Sequence, residues 1–180
     1  VNMLDPLQMF AAEYAEFQGR SDVIAVAPDA GATKMIMHFS RRMEVNSAIA
    51  SKYRPQAEEA VITDIIGDFR KKKIALVLDD MIASAGTMFE LVQELVEDKG
   101  IEEVHMAASH NLCLPRTAEK LQELHDNYNL KSVAVTNSIP QTREFEDLPF
   151  FRVRCLSDVF CRTINRVHYD RSVSAIFQTR

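Results

Sequence analysis

The stretch Ile74-Ala75-Leu76-Val77-Leu78-Asp79-Asp80-Met81-Ile82-Ala83-Ser84-Ala85-Gly86-Thr87 joins a short apolar run to two adjacent carboxylates and then to a turn of small residues. An apolar run that ends in charge and gives way to helical spacing is the pattern of a central parallel strand, because such a strand is buried on both faces. Ligands of open α/β sheets gather at the carboxyl ends of the strands. Ser84, Ala85, Gly86 and Thr87 carry little bulk, so their backbone N–H groups can approach an anion while the following helix adds the positive end of its dipole. Asp79 and Asp80 are suited to accept hydrogen bonds from vicinal sugar hydroxyls or to hold a hydrated divalent cation. The two acids read equally well as a capping pair at a helix start.

Outward from this stretch the chain alternates between periodicities. Helical spacing is expected over Leu4–Phe17, with a cap at Asp5 and Pro6 behind it, then a strand over Asp22–Ala27 and a helix over Gly31–Met43. Asn46–Ala50 and Val61–Ile66 read as strands flanking a polar stretch, and Gly67-Asp68 with Arg70-Lys71-Lys72-Lys73 as a hairpin connection into the Ile74 strand. A helix over Thr87–Asp98, a strand over Glu103–Ala108, a helix over Pro115–Asn127, strands over Lys131–Thr136 and Phe151–Arg154, and a helix over Ser157–Val167 complete the alternation. The expected fold is α/β with three layers, a mostly parallel central sheet carrying helices on both faces.

At 180 residues the chain suits one domain with a substantial core. A formal charge of -5 lacks the basic stripe of a nucleic-acid surface. Cys113, Cys155 and Cys161 are odd in number and lack finger spacing, so a reducing, cytoplasmic setting is expected rather than a disulfide framework or a zinc site. No run reaches the length of a membrane span, and a chain without a secretory leader is expected. The methionines, Met35, Met37 and Met43 among them, read as core packing, and Lys71-Lys72-Lys73 as a solvated tip.

The Ile74–Thr87 stretch resembles the phosphoribosyl-diphosphate (PRPP) motif of the type I phosphoribosyltransferase fold, in the version found in ribose-phosphate diphosphokinases, the PRPP synthetases. Four further stretches are similar to that family in order: Pro28-Asp29-Ala30-Gly31-Ala32-Thr33-Lys34, Ser51-Lys52-Tyr53-Arg54-Pro55, Thr136-Asn137-Ser138-Ile139-Pro140-Gln141 and Ser172-Val173-Ser174-Ala175-Ile176-Phe177. The resemblance covers nearly the whole chain but only the C-terminal one of the family's two tandem domains. A first residue of valine fits a fragment, a processed chain or a recombinantly expressed segment alike.

The resemblance implies a single phosphoribosyltransferase-like domain that holds ribose 5-phosphate for diphosphate transfer from ATP, with Mg²⁺ as the cofactor and PRPP as the product. It implies that Ser84, Ala85, Gly86 and Thr87 cradle the 5-phosphate and that Asp79 and Asp80 hold the ribose hydroxyls. Asp29 and Gly31 fall on the diphosphate side, Asp29, Asp79 and Asp80 near the metal, and Lys52 and Arg54 on a mobile catalytic loop. Dimer-based homo-oligomers are the family habit. On the residues alone, Asp29 is an ordinary turn former and Lys52 with Arg54 a solvated loop. Lys34 and His110 also match family positions, though a solvent-facing lysine and a structural histidine are the simpler readings. Ala83 stands where the family has a third aspartate, Ser84 where it has threonine and Ala32 where it has a second glycine. Ala83 keeps open a non-catalytic, synthetase-like subunit, and a single-domain transferase that consumes PRPP remains a further alternative.

Overall fold

The apolar runs become the middle of one sheet. The computed structural model describes residues 6–56 and 59–173, the side chains at 52–56 and 59–63 excepted. Among these residues the strands are β1 (Val23–Ala27), β2 (Asn46–Gln56), β3 (Glu59–Ile66), β4 (Ile74–Ile82), β5 (Glu103–Asn111), β6 (Leu130–Thr136) and β7 (Phe151–Arg154). They lie in the order β3-β2-β1-β4-β5-β6-β7, and every neighbouring pair is parallel except β2 with β3. The helices are α1 (Leu7–Glu13), α2 (Thr33–Met43), α3 (Gly86–Glu97), α4 (Thr117–Asn127), α5 (Arg143–Glu146) and α6 (Ser157–His168).

Successive side chains of β4 point to opposite faces, so its apolar run feeds two cores. Leu76 and Leu78 pack with Phe10 of α1 and Ile36, Phe39 and Met43 of α2. Val77 packs on the other face with Leu91 and Leu95 of α3 and Leu121 and Leu124 of α4. Each such fully buried side chain stabilises by about 1.5–3 kcal/mol relative to exposure. The three-layer expectation therefore holds. Helix α6 has no buried residue, and its Phe160, Ile164 and Val167 are exposed.

Two readings of the second and third strands need correction. The polar stretch between them is no loop: β2 runs on through Lys52 and Arg54 to Gln56 and pairs antiparallel with β3, Lys52 opposite Ile62 and Tyr53 opposite Val61. Backbone pairing along a hairpin needs no apolar side chains, so polarity concealed it. Residues 67–73 are no hairpin connection either, because β3 is the edge strand and β2 and β1 lie between it and β4. The segment instead crosses the amino ends of β1 and β2. There Lys72, only 9% exposed, donates from Nζ to Ser21 O at 2.7 Å, Val23 O at 3.1 Å and Asn46 Oδ1 at 3.0 Å. All three ammonium donors are used, which is how a lysine is tolerated inside. The expected solvated tip is thus a buried tie at this residue.

The first helix is shorter than its spacing suggests, opening at Leu7 directly after Pro6 and closing in a 3-10 turn over Ala15–Phe17. Asp5 lies outside the described residues, as do Ser174 to Phe177 of the C-terminal stretch.

Candidate functional site

Strands β1 and β4 are neighbours, yet the chain leaves them in opposite directions. From β1 it passes through Pro28–Ala32 into α2, on one face, and reaches β2; from β4 it passes through Ala83–Ala85 into α3, on the other face, and reaches β5. A crevice must open where the two loops part, at the carboxyl ends of the strands. It has a volume of about 480 Å³ and is lined by Asp29, Gly31, Asp79, Asp80, Ser84, Ala85, Gly86 and Thr87. These are all the sequence-predicted site residues except Lys52 and Arg54, whose backbones lie in β2 and whose side chains are outside the described set.

The acidic side of the crevice has three members. Asp29 accepts at Oδ1 from the N–H groups of Gly31 at 2.8 Å and Ala32 at 3.2 Å, capping the 3-10 turn Ala30–Ala32 that precedes α2. The turn-forming reading of Asp29 is therefore real, and the same residue also faces the crevice. Asp79 is half-buried and accepts at Oδ1 from the Asp80 N–H at 2.8 Å. Burial pushes its carboxyl up to about 7, the charges of Asp80 and Asp29 add to the rise, and the Asp80 N–H opposes it. Asp79 thus carries an exchangeable proton near neutral pH. Among the described residues no three His, Cys, Asp or Glu side chains cluster closely enough to form a metal cage. Asp79 and Asp80 offer the carboxylate oxygens that a hard divalent cation takes one or two at a time, with water completing its shell.

The same crevice is lined by the small-residue loop. Ala85, not Gly86, takes the left-handed conformation, with φ 56° and ψ 7°, and α3 begins at the next residue. No side chain caps this helix start and no acidic residue sits in its first turn. Its N–H groups and dipole are therefore open to an anion. The loop is held from behind by α4, where Thr117 Oγ1 donates to Ala83 O at 2.9 Å and Lys120 Nζ to Ser84 O at 3.1 Å. No spacing in the sequence connects residues 117 and 120 with the loop.

Lys34 is exposed and lies outside the crevice lining. His110, paired in register with Met81 of β4, shares a 2.7 Å hydrogen bond through Nδ1 with Ser138 Oγ, and buried Asn111 donates to Gln141 Oε1 at 2.7 Å. The carboxyl end of β5 is thus tied to the Thr136–Gln141 loop. Met43 is core as expected, but Met37 is exposed, and Met35, Met81 and Met88 line the crevice. Their flexible thioethers form its apolar wall.

The family model described as phosphoribosyl synthetase-associated domain matches residues 21–178. The chain belongs to the phosphoribosyl synthetase-associated domain family. Among curated relatives of this domain, the ribose-phosphate pyrophosphokinase of Caldanaerobacter subterraneus subsp. tengcongensis is 33% identical over 156 residues, 87% of this chain and 47% of the relative. The chloroplastic ribose-phosphate pyrophosphokinase 2 of Spinacia oleracea is 34% identical over 162 residues, 88% of this chain and 38% of the relative. The chain spans about half the length of the curated relatives it matches first. Phosphoribosylpyrophosphate synthetase from Mycobacterium smegmatis superposes with a TM-score of 0.74 at 22% identity, covering 92% of this chain and 51% of that one. Adenine phosphoribosyl transferase from Trypanosoma brucei does so at 0.50 and 18% identity, covering 84% and 63%. The domain accordingly has the type I phosphoribosyltransferase-like fold.

Proposed function

We propose that this chain is the ribose-5-phosphate-binding half of a ribose-phosphate diphosphokinase, an enzyme that makes PRPP for nucleotide biosynthesis. The observation that carries the reading is one crevice with two chemically opposite walls, an uncapped helix start behind a small-residue loop and a pair of carboxylates at the end of β4. A sugar phosphate has that polarity, with a dianion at one end and vicinal hydroxyls at the other.

In this account the loop 84–87 takes the 5-phosphate, and Asp79 and Asp80 accept from the 2- and 3-hydroxyls. The 1-hydroxyl then gives up its proton to solvent and forms its bond to the β-phosphorus of ATP as the bond to the bridging oxygen breaks and AMP leaves, a displacement that depends on positioning. Bound Mg²⁺ would neutralise phosphate charge there. Asp29 and Gly31 lie toward the transferred diphosphate, and Lys52 with Arg54, carried on the β2–β3 hairpin, would supply cations to the transition state. The ATP contacts are assigned to a further domain that the longer relatives have room for. Dimer-based homo-oligomerisation and a reducing, cytoplasmic compartment belong to the same reading.

One observation favours a second reading. Ala83 lines the crevice where the resembled family has an aspartate, as a synthetase-like subunit without catalysis would require. Calorimetric titration with ribose 5-phosphate and with PRPP, each with and without Mg²⁺, separates the possibilities. Saturable ribose 5-phosphate binding that is lost in the Asp79→Ala, Asp80→Ala double variant supports the synthetase half-site. A preference for PRPP over ribose 5-phosphate points to a transferase, and binding of neither to the non-catalytic subunit.

A further inference from the structure

The crevice poses an electrostatic problem: among the described residues its lining holds three carboxylates and no lysine or arginine, yet a phosphate dianion is assigned to it. Lys120 and Thr117 stand directly behind the loop in question. Thr117, with no exposed surface, donates to Ala83 O, and Lys120, half-buried, donates to Ser84 O. The two residues are three apart in α4 and so share one face of its first turn. One helix face therefore grips two consecutive carbonyls.

We infer that Thr117 and Lys120 are positioning residues of the phosphate loop, which set the direction and strength of its anion-binding N–H donors without touching the ligand. In a planar trans amide the C=O and N–H point opposite ways. Drawing the carbonyls of Ala83 and Ser84 toward α4 turns the N–H groups of Ser84 and Ala85, the other ends of the same two amides, toward the crevice. The ammonium on Ser84 O also polarises its amide and strengthens the Ala85 donor. A Cβ built on Gly86 would lie 3.9 Å from Lys120 Nζ, so this charge stands beside the start of α3 and adds to the dipole there. The grip also accounts for Ala85 in the left-handed region, a conformation that persists in a residue with a Cβ only when its surroundings impose it.

This inference rests on the phosphate reading of the loop, and its test keeps the two apart. The full chain and its Lys120→Met, Lys120→Arg, Thr117→Val and Thr117→Ser variants are titrated with ribose 5-phosphate, and backbone order parameters of Ser84 to Gly86 are measured by ¹⁵N relaxation without ligand. Losing one charged interaction at a partly exposed site should weaken ribose 5-phosphate binding by about fivefold in Lys120→Met. Lys120→Arg and Thr117→Ser should stay near the parent. In Lys120→Met and Thr117→Val the loop order parameters should fall from the rigid value of about 0.85 toward about 0.6, with the rest of the sheet unchanged. Unchanged affinity together with an unchanged loop in both variants would overturn the inference. If the parent binds no ribose 5-phosphate while the loop still loosens in the variants, the positioning role is supported and the phosphate assignment fails.

Discussion

Replacing Asp79 by asparagine should stabilise the chain at alkaline pH and leave it unchanged in acid. The carboxyl has an ordinary value of 3.8 and is pushed up to about 7, first by burial and then by the charges of Asp80 and Asp29. Below about pH 4 the folded and unfolded chains both hold this proton, and ionisation costs nothing. Between about pH 4 and 7 the folded chain holds a proton that the unfolded chain has released, so stability falls as pH rises through that window. Above it both forms are ionised and the full cost of a buried carboxylate stands. At about 1.36 kcal/mol per pH unit the ceiling is about 4 kcal/mol, and solvent reaching the half-buried side chain reduces it to about 2 kcal/mol. Asparagine keeps an acceptor for the Asp80 N–H, which now bonds Asp79 Oδ1 at 2.8 Å, so the substitution removes the charge and leaves the contact. Urea denaturation of parent and variant at pH 4.5, 6 and 8 reads the effect directly. The variant should gain about 2 kcal/mol at pH 8 and under about 0.5 kcal/mol at pH 4.5. A difference that is the same at all three values would refute the assignment of this proton to Asp79.

Three further outcomes follow from packing. A Cβ on Gly67 would fall 2.5 Å from Ala48 Cβ, across the strand pair, so Gly67→Ala should cost about 1–3 kcal/mol by overpacking, read as a lower denaturation midpoint. Lys72→Met removes the partner of three acceptors at the amino ends of β1 and β2 and should cost about 2 kcal/mol, whereas Lys71→Met, at an exposed neighbour, should cost under about 0.5 kcal/mol. Gly31→Ala places a methyl 3.0 Å from Asp29 Oδ1, displaces the capping carboxylate and should cost about 1 kcal/mol by thermal melting while weakening any ligand that needs Asp29.

Burial on both faces made β1, β4, β5 and β6 readable, since a strand covered by helices on each side reads as a near-continuous apolar run. The same logic placed the carboxylates, because charge that follows such a run falls toward the carboxyl end of the strand. The hairpin of β2 and β3 was not readable beyond its apolar ends, for its pairing is made by backbone groups that leave no mark on side-chain pattern. The role of Lys72 was hidden for a related reason: a lysine run looks solvated, and only the fold brings Ser21, Val23 and Asn46 around one of its members. The phosphate-loop residues were legible as small, but the residue that bears the left-handed turn is Ala85 rather than Gly86. What makes an alanine acceptable there is the pair Thr117 and Lys120, more than thirty residues away in sequence.

The central claim is that the crevice between β1 and β4 takes ribose 5-phosphate with its phosphate on the 84–87 loop. Backbone amide mapping by ¹H–¹⁵N correlation spectra during a ribose 5-phosphate titration tests it most directly. The account predicts saturable shifts that are largest at Ser84, Ala85, Gly86 and Thr87, with smaller ones at Asp79 and Asp80, and a loss of the loop shifts when ribose replaces ribose 5-phosphate. Saturable shifts centred on another part of the molecule, or the same loop shifts with unphosphorylated ribose, would contradict it.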